Sequence, residues 1–384
     1  MRLPGNRHDG GPPYDDAMTP EDLLARRLAN QHLAATVTGD PAEVVTHLGA
    51  VQAQEYGHSL WAVGLRTRQA SASTIEAAIE RGTILRTWPM RGTIHFVPAA
   101  DARWMLELLA GRRIGQMAVV YKRIGLTDDV FGRSAQIVAG ALRGGRRIRR
   151  RDLYALLTEH GVDCSASPNG GRGGHILGYL SMTGLICLGP LDGKQQTVVL
   201  LDEWAPAPRK PGDPMAELAT RYFTSHGPAT ARDFGWWSGM KMSDARQAIG
   251  LAGPALAAEE LDGVTYWQAA GQPGGTAPDG VHLLPAFDEY TVGYTDRTVL
   301  LRGSDLSRSD VLDPVMVLDG RAVGLWRWAV GGEAVSIRLA PFAKMSKRDR
   351  ERFHEAAERY AAFLGVPAEI TQATVAEVRR QGRQ

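Results

Sequence analysis

Two glutamines, Gln52 and Gln54, flank a small apolar residue in the run Leu48-Gly49-Ala50-Val51-Gln52-Ala53-Gln54-Glu55. A side-chain amide offers a carbonyl oxygen with two acceptor sites and an NH2 with two donors, and it carries no charge. Such a pair can orient a water through its oxygens, but it cannot serve as a strong general base. The spacing also constrains the backbone. On an α-helix, residues i and i+2 do not share a face. For both amides to meet one substrate, the chain must be leaving the helix that Pro41 opens, and Gly57 three residues on is consistent with that exit. Without further context, two glutamines on a helix are usually just polar surface.

Other chemistries find no support. The Gly-rich GGRGGH at 170–175 lacks the Lys-Ser/Thr of a P-loop and follows no strand, so it reads as a flexible loop. No GxSxG nucleophile signature occurs. The ten histidines do not form HExxH spacings, and Cys164 and Cys187 are the only cysteines. These do not assemble a zinc site, so no metal and no cofactor is expected. His95 lies in an apolar strand and reads as a core histidine.

The elements that must position the glutamines follow from the apolar spacing. Residues 20–35 read as a helix with Thr19-Pro20 as its start signal, residues 41–54 as a second, and residues 73–81 as a third stopped by Gly82. LRTWPMRGTIHFV (85–97) changes to strand character with a turn near Arg91-Gly92. Three helices and a hairpin make a winged-helix pattern. It recurs with Phe131–Leu142, a helix over RRIRRRDLYALLTEHG, a helix over HILGYLSMTGLI, and a hairpin turning at Asp192-Gly193. A Pro-rich linker (206–214) leads to three short amphipathic pieces stopped at Gly227, Gly239 and Gly250. A β-rich stretch then runs to about residue 340, its clearest hairpin turning at Asp319-Gly320, and a charged helix over 346–365 closes the chain. The predicted organisation is a disordered tail (1–18), winged-helix units at 19–125, 126–205 and 213–345, and a C-terminal helix and tail (346–384).

The 384 residues are 44% hydrophobic and 22% charged, which suits a soluble globular protein of two or three domains. No apolar run reaches the ~20 residues of a membrane span. The N-terminus lacks a signal-peptide pattern, and a cytoplasmic location is expected. The formal charge of +2 conceals an asymmetry. Residues 111–151 hold eleven Lys/Arg against Asp128 and Asp129, a local +9, leaving −7 for the rest. Six of those arginines fall within 143–151, and arginine suits bidentate phosphate contact. This concentration points to an anionic partner on one face.

Taken together, LGAVQAQE (48–55), LRTWPMRGTIHFV (85–97), GYLSMTGLI (178–186), LLPAFDEYTVGYTDR (283–297) and VLDGRAVGLWR (317–327) resemble the AlkZ/YcaQ superfamily of winged-helix DNA glycosylases. The resemblance spans about residues 20–340. It implies an α+β fold of three tandem winged-helix motifs in a C-shaped arrangement around DNA, with a β-rich C-terminal part. It further implies excision of alkylated bases by a monomer without an obligate protein partner. The family's Gln-apolar-Gln motif carries the catalytic role to Gln52 and Gln54, and its lesion-side hairpin maps by position to Leu318–Val323, with Asp319, Gly320 and Arg321 at the tip. Arg91, Arg146, Arg147, Arg149, Arg150 and Arg151 are the further candidates for double-stranded DNA, with Arg91 reading equally as a structural pairing.

The motif makes chemical sense for such an enzyme. A purine alkylated at N7 is already cationic and needs no general acid to depart. What remains is to hold a water at C1′, which a neutral amide can do. The expected substrates are therefore cationic N7-alkylated purines, extending to interstrand crosslinks, and not neutral lesions such as uracil. In the FDEY segment, Asp288 or Glu289 either stabilises positive charge on the sugar or holds a turn. Trp236 and Trp237 read as core and surface of one helix. The competing reading is a non-catalytic winged-helix DNA-binding protein, a regulator or lesion binder.

Overall fold

The computed structural model describes residues 18–165, 171–272, 279–302 and 312–381. Helix α1 (Pro20–Asn30) starts in a capping box between Thr19 and Asp22. A first block then runs α2 (Pro41–Leu48), β1 (Val51–Gln52), α3 (Tyr56–Gly64), α4 (Ala72–Glu80) and the hairpin β2 (Ile84–Met90) with β3 (Thr93–Pro98). The long α5 (Ala102–Arg123) leads to a second block: α6 (Asp128–Leu142), β4 (Ile148–Arg149), α7 (Arg150–Glu159), α8 (Arg172–Met182), and the hairpin β5 (Ile186–Asp192) with β6 (Gln195–Leu200), ended by α9 (Leu201–Trp204). A third block runs α10 (Pro214–His226), α11 (Ala231–Ser238), α12 (Met242–Ala252) and the hairpin β7 (Leu256–Leu261) with β8 (Val264–Ala269).

The pairing repeats as well as the order. Strand β1 pairs antiparallel with β3, and β4 pairs antiparallel with β6. In the third block the short strand shrinks to one antiparallel bridge, Ala229 with Trp267 on β8. Gln52 and Arg149 thus occupy corresponding places, each the last residue of the short strand before the next helix. The first two blocks merge into one six-stranded sheet, β1-β3-β2-β5-β6-β4, with β2 meeting β5 at its centre.

The remainder is β9 (Val281–Leu284), α13 (Glu289–Val292), α14 (Thr298–Leu301), β10 (Val315–Leu318), β11 (Arg321–Gly331), β12 (Ala334–Pro341), α15 (Lys347–Leu364), β13 (Ala368–Gln372) and α16 (Val375–Gln381). Its strands form a five-stranded sheet, β13-β12-β11-β10-β9. One core welds this sheet and the inner face of α15 to the first block, through Trp61, Trp326, Phe353, Tyr360 and Phe363. The indole N–H groups of Trp61 and Trp326 donate to the carbonyls of Leu283 and Leu284, fixing the strand that leads into α13.

Several sequence expectations need correction. Apolar spacing ran the second helix through Gln54, but Gly49 at φ 80 ends it at Leu48. The glutamines therefore stand on and just after a strand, where i and i+2 do share a face. Gly57 does not break a helix; it lies in α3, which the pattern missed. Helix α1 stops at Asn30, short of Ala35, and precedes the first block. Helix α7 starts only at Arg150, because Ile148 and Arg149 pair with β6. Arg172–His175 of the Gly-rich stretch belong to α8, so they are not loop. That helix ends at Met182, ahead of the Thr183–Ile186 expected to continue it. The second hairpin turns at Gly193-Lys194, since Asp192 pairs with Gln195. Gly250 lies inside α12, which stops at Gly253 with φ 53. Beyond α15 the chain forms β13 and α16 where a tail was expected. Residues 1–17 of the expected N-terminal tail lie outside the described residues. Among those described, no helix is long and apolar enough to cross a membrane.

Candidate active site

Gln52 lies opposite His95 on β3. The two-residue turn Arg91-Gly92 joins β2 to β3, with φ 58 and 75, the left-handed pair that suits a tight hairpin. Of the two readings of Arg91, phosphate contact or structural pairing, its guanidinium takes the inward, structural one. One terminal nitrogen donates to Gln52 Oε1 at 3.1 Å and to His95 Nε2 at 3.0 Å, and the other donates to the Trp237 carbonyl at 2.6 Å. His95 Nδ1–H donates to the Thr93 carbonyl at 3.0 Å, which leaves Nε2 bare to accept from Arg91. His95 is fully buried, the core histidine the sequence predicted, and it is also a link to the glutamine.

The second amide is held from the backbone. Ile94 N–H donates to Gln54 Oε1 at 3.2 Å, and Ala53 N–H donates to the Ile94 carbonyl at 2.7 Å. Because a guanidinium and a backbone N–H can only donate, both amide orientations follow from chemistry. Each Oε1 faces its donor and keeps one acceptor site; each Nε2 keeps its donors. Behind the motif, Arg86 donates twice to the Ala53 carbonyl, at 3.0 and 2.8 Å, and once to Gln196 on β6 at 2.5 Å.

Glu289 anchors this arrangement from below. It is fully buried, so it cannot meet a sugar directly. Oε1 accepts from the Gln52 backbone N–H at 2.9 Å, while Oε2 accepts from Trp237 Nε1 at 2.9 Å and faces His226 Nε2 at 3.3 Å. Burial would raise this carboxyl, but the His226 hydrogen bond and the charge of Arg91 outweigh it and hold Glu289 at about 2. Its neighbour Asp288 caps α13 and pairs with Arg66, both side chains fully buried. All five Arg66 N–H donors are filled, by Asp288 twice, Gln31 twice and the Ala62 carbonyl.

Glutamine at 289 offers one carbonyl where the carboxylate offers two acceptor oxygens, so one buried donor is left without a partner. Glu289→Gln is expected to lower stability by about 1–3 kcal/mol and base release roughly tenfold through displacement of Gln52. Thermal denaturation and single-turnover assays check both.

Acid acts on the buried histidines. Burial and the Arg91 charge hold His95 down at about 3, and burial holds His58 and His282 at about 4. Burial also lowers His47 and His226. The folded chain keeps these rings neutral, whereas the unfolded chain takes up protons below about pH 6.5. Stability is therefore full above that value and falls with acidification toward pH 4, by about 1.4 kcal/mol per pH unit for each fully buried ring. Glu289 works from lower down, its contribution lost only as pH falls toward 2. The melting temperature should drop steeply between pH 6.5 and 4.5. An unchanged value across that range contradicts this placement of the histidines.

The basic candidates divide into two groups. Arg147 pairs with Glu80 at 2.5 Å and lies over the Trp204 ring, Arg149 pairs with Asp192 at 2.6 Å, and Arg151 pairs with Asp152 at 3.2 Å. Arg146 and Arg150 are exposed, and the described residues give their side chains no hydrogen bond or ion pair. The hairpin tip at 319–321 is not the hairpin of the third block, which is β7–β8 turning at Asp262-Gly263. It belongs to the five-stranded sheet and is fastened to it and to α1. Asp319 accepts from Gly280 N–H at 3.1 Å, the Gly320 carbonyl accepts from Tyr290 at 3.0 Å, and Arg321 pairs with Glu21 at 2.5 Å. Trp237 is buried and Trp236 is half exposed, the reverse of the order expected, because α11 turns Trp237 toward Tyr222 and Glu289. No metal-binding cluster occurs among the described residues.

The family model of AlkZ-like DNA glycosylases matches residues 45–363. The chain belongs to that family and is a DNA glycosylase. Over 321 residues it is 26% identical to an interstrand DNA cross-link repair glycosylase of Streptomyces sahachiroi, an alignment spanning 79% of this chain and 86% of the relative. The solved structure of the Streptomyces sahachiroi DNA glycosylase AlkZ superposes with a TM-score of 0.75 at 22% identity, over 93% of this chain and 100% of the other.

Proposed function

We propose that this glycosylase hydrolyses the N-glycosidic bond of cationic N7-alkylated purines, including those tethered in interstrand crosslinks, with Gln52 and Gln54 holding the water. The free acceptor sites on the two Oε1 atoms take the water's hydrogens and turn its lone pair toward C1′. As the C1′–N9 bond breaks, its electrons neutralise the purine ring, the water oxygen bonds to C1′, and a proton passes to solvent. The observation that carries this reading is the fixed, uncharged presentation of both amides. Both buried groups tied to Gln52, Glu289 and His95, keep one protonation state across neutral pH, so neither supplies a proton there. The relative's cross-link repair activity supports extending the substrate class to tethered purines.

The three blocks act as tandem winged-helix units on duplex DNA, working as a monomer in the cytoplasm. Arg146 and Arg150 grip phosphate, while Arg147, Arg149 and Arg151 first exchange a carboxylate partner for one. Each phosphate contact contributes about one to the slope of log affinity against log salt. Arg150→Ala should lower that slope by about one and weaken damaged and undamaged duplexes alike. An unchanged slope removes Arg150 from the interface. The reading as a whole is tested by base release from duplexes bearing 7-methylguanine and uracil, with release expected only from the first.

A further inference from the structure

One arginine of the basic stretch lies beside the β2–β3 turn that holds Arg91 and is used by nothing described above. Arg113, on α5, is half buried. Its side chain lies flat across the turn, so that a Cβ at Gly92 would fall 2.4 Å from Arg113 Nε and 3.2 Å from its Cγ and Cδ. Only a glycine leaves room for that approach. Among the described residues Arg113 makes no hydrogen bond, ion pair or ring contact.

The contrast with Arg91, one residue before Gly92, is informative. Arg91 turns into the protein and spends its donors on Gln52, His95 and Trp237. Arg113 covers the same turn from α5 with its fork of donors unspent. A half-buried guanidinium loses part of its hydration, and a protein acceptor normally compensates. Here the described residues supply none, and the enzyme's substrate is a polyanion. Guanidinium geometry matches two phosphate oxygens.

We propose that Arg113 seats a phosphate of the lesion-bearing strand next to the damaged nucleotide, and so positions C1′ over Gln52 and Gln54. This rests on the reading of those glutamines as the catalytic pair. Arg113 is a positioning residue here, not a catalytic one. Gly92 belongs to the seat, because it lets the side chain lie down on the turn.

The test is a binding experiment, so that it stands apart from base release. Duplexes carry 7-methylguanine and a single neutral methylphosphonate, moved one linkage at a time along the damaged strand. Wild type, Arg113→Gln and Arg113→Lys are compared, with equal melting temperatures required first. Arg113→Gln should weaken binding several-fold, lower the salt slope by about one, and slow saturating single-turnover release roughly tenfold because C1′ is less well placed. Arg113→Lys should retain the slope. For the wild type, one linkage within two nucleotides of the lesion should lose affinity on neutralisation, and Arg113→Gln should lose nothing more there. Additive losses at every linkage near the lesion, or coupling only at a distant one, overturn the proposal. Base release lost in glutamine variants that keep this coupling upholds both readings. Release kept in those variants removes the catalytic pair and leaves Arg113 a phosphate contact only.

Discussion

Asp288→Ala is expected to cost about 3–5 kcal/mol, the largest stability effect among these variants. The Arg66 guanidinium it would strand has no exposed surface, and the pair is bidentate at 2.8 and 2.9 Å. Removing one partner of a buried pair leaves an uncompensated charge, which is where a penalty of this size arises. Asp288 also caps α13 through the Tyr290 N–H, so the truncation loosens the helix that carries Glu289. Arg66→Met with Asp288→Leu removes both charges together and should recover much of the loss. Denaturant titration of the two variants checks the pair. A loss under 1 kcal/mol for Asp288→Ala contradicts the placement of α13 on a buried ion pair.

Gln52→Ala and Gln54→Ala are expected to lower base release from 7-methylguanine by a hundredfold or more each. Loss of an oriented water at the reacting carbon removes an advantage of that order. The two variants differ in what they disturb. Gln54 gives its oxygen to a backbone N–H at the start of β3, so its loss leaves the hairpin's own ladder in place. Gln52 also receives Arg91, so its loss frees one guanidinium donor inside a buried cluster. Gln52→Ala should therefore lower the melting temperature as well, and Gln54→Ala should not. Gln52→Glu keeps an acceptor for Arg91 and places negative charge near the sugar, so it should retain activity.

How much of this was legible in the sequence depends on range. The glutamine pair was visible as chemistry because residue type alone carries it. Its strand setting was not. Val44, Leu48 and Val51 keep helical spacing, and the break at Gly49 answers to distant residues: a Cβ there would meet Arg221 at 3.1 Å and Trp237 at 3.6 Å. The Arg91-Gly92 turn was read correctly, but residue type alone left its arginine open between a phosphate contact and a structural pairing. It turns inward because α11 ends against that turn and offers the Trp237 carbonyl. Glu289 had no local signature beyond an acidic residue in a turn. Its partners are His226 and Trp237, more than fifty positions earlier, on the helices of the third block. The third block's own hairpin was overlooked for a similar reason. VMVLDGRAVGLW shows cleaner alternation, yet it pairs with β9 and β12 in another sheet.

The central claim is that a fixed, neutral glutamine pair hydrolyses an already cationic leaving group. The most direct measurement is single-turnover base release by the wild type, Gln52→Ala and Gln54→Ala on duplexes bearing 7-methylguanine and uracil. The account predicts release of 7-methylguanine by the wild type, loss of at least a hundredfold in both folded variants, and no release of uracil by any of them. Full activity in folded Gln52→Ala and Gln54→Ala, or release of uracil by the wild type at a comparable rate, would contradict it.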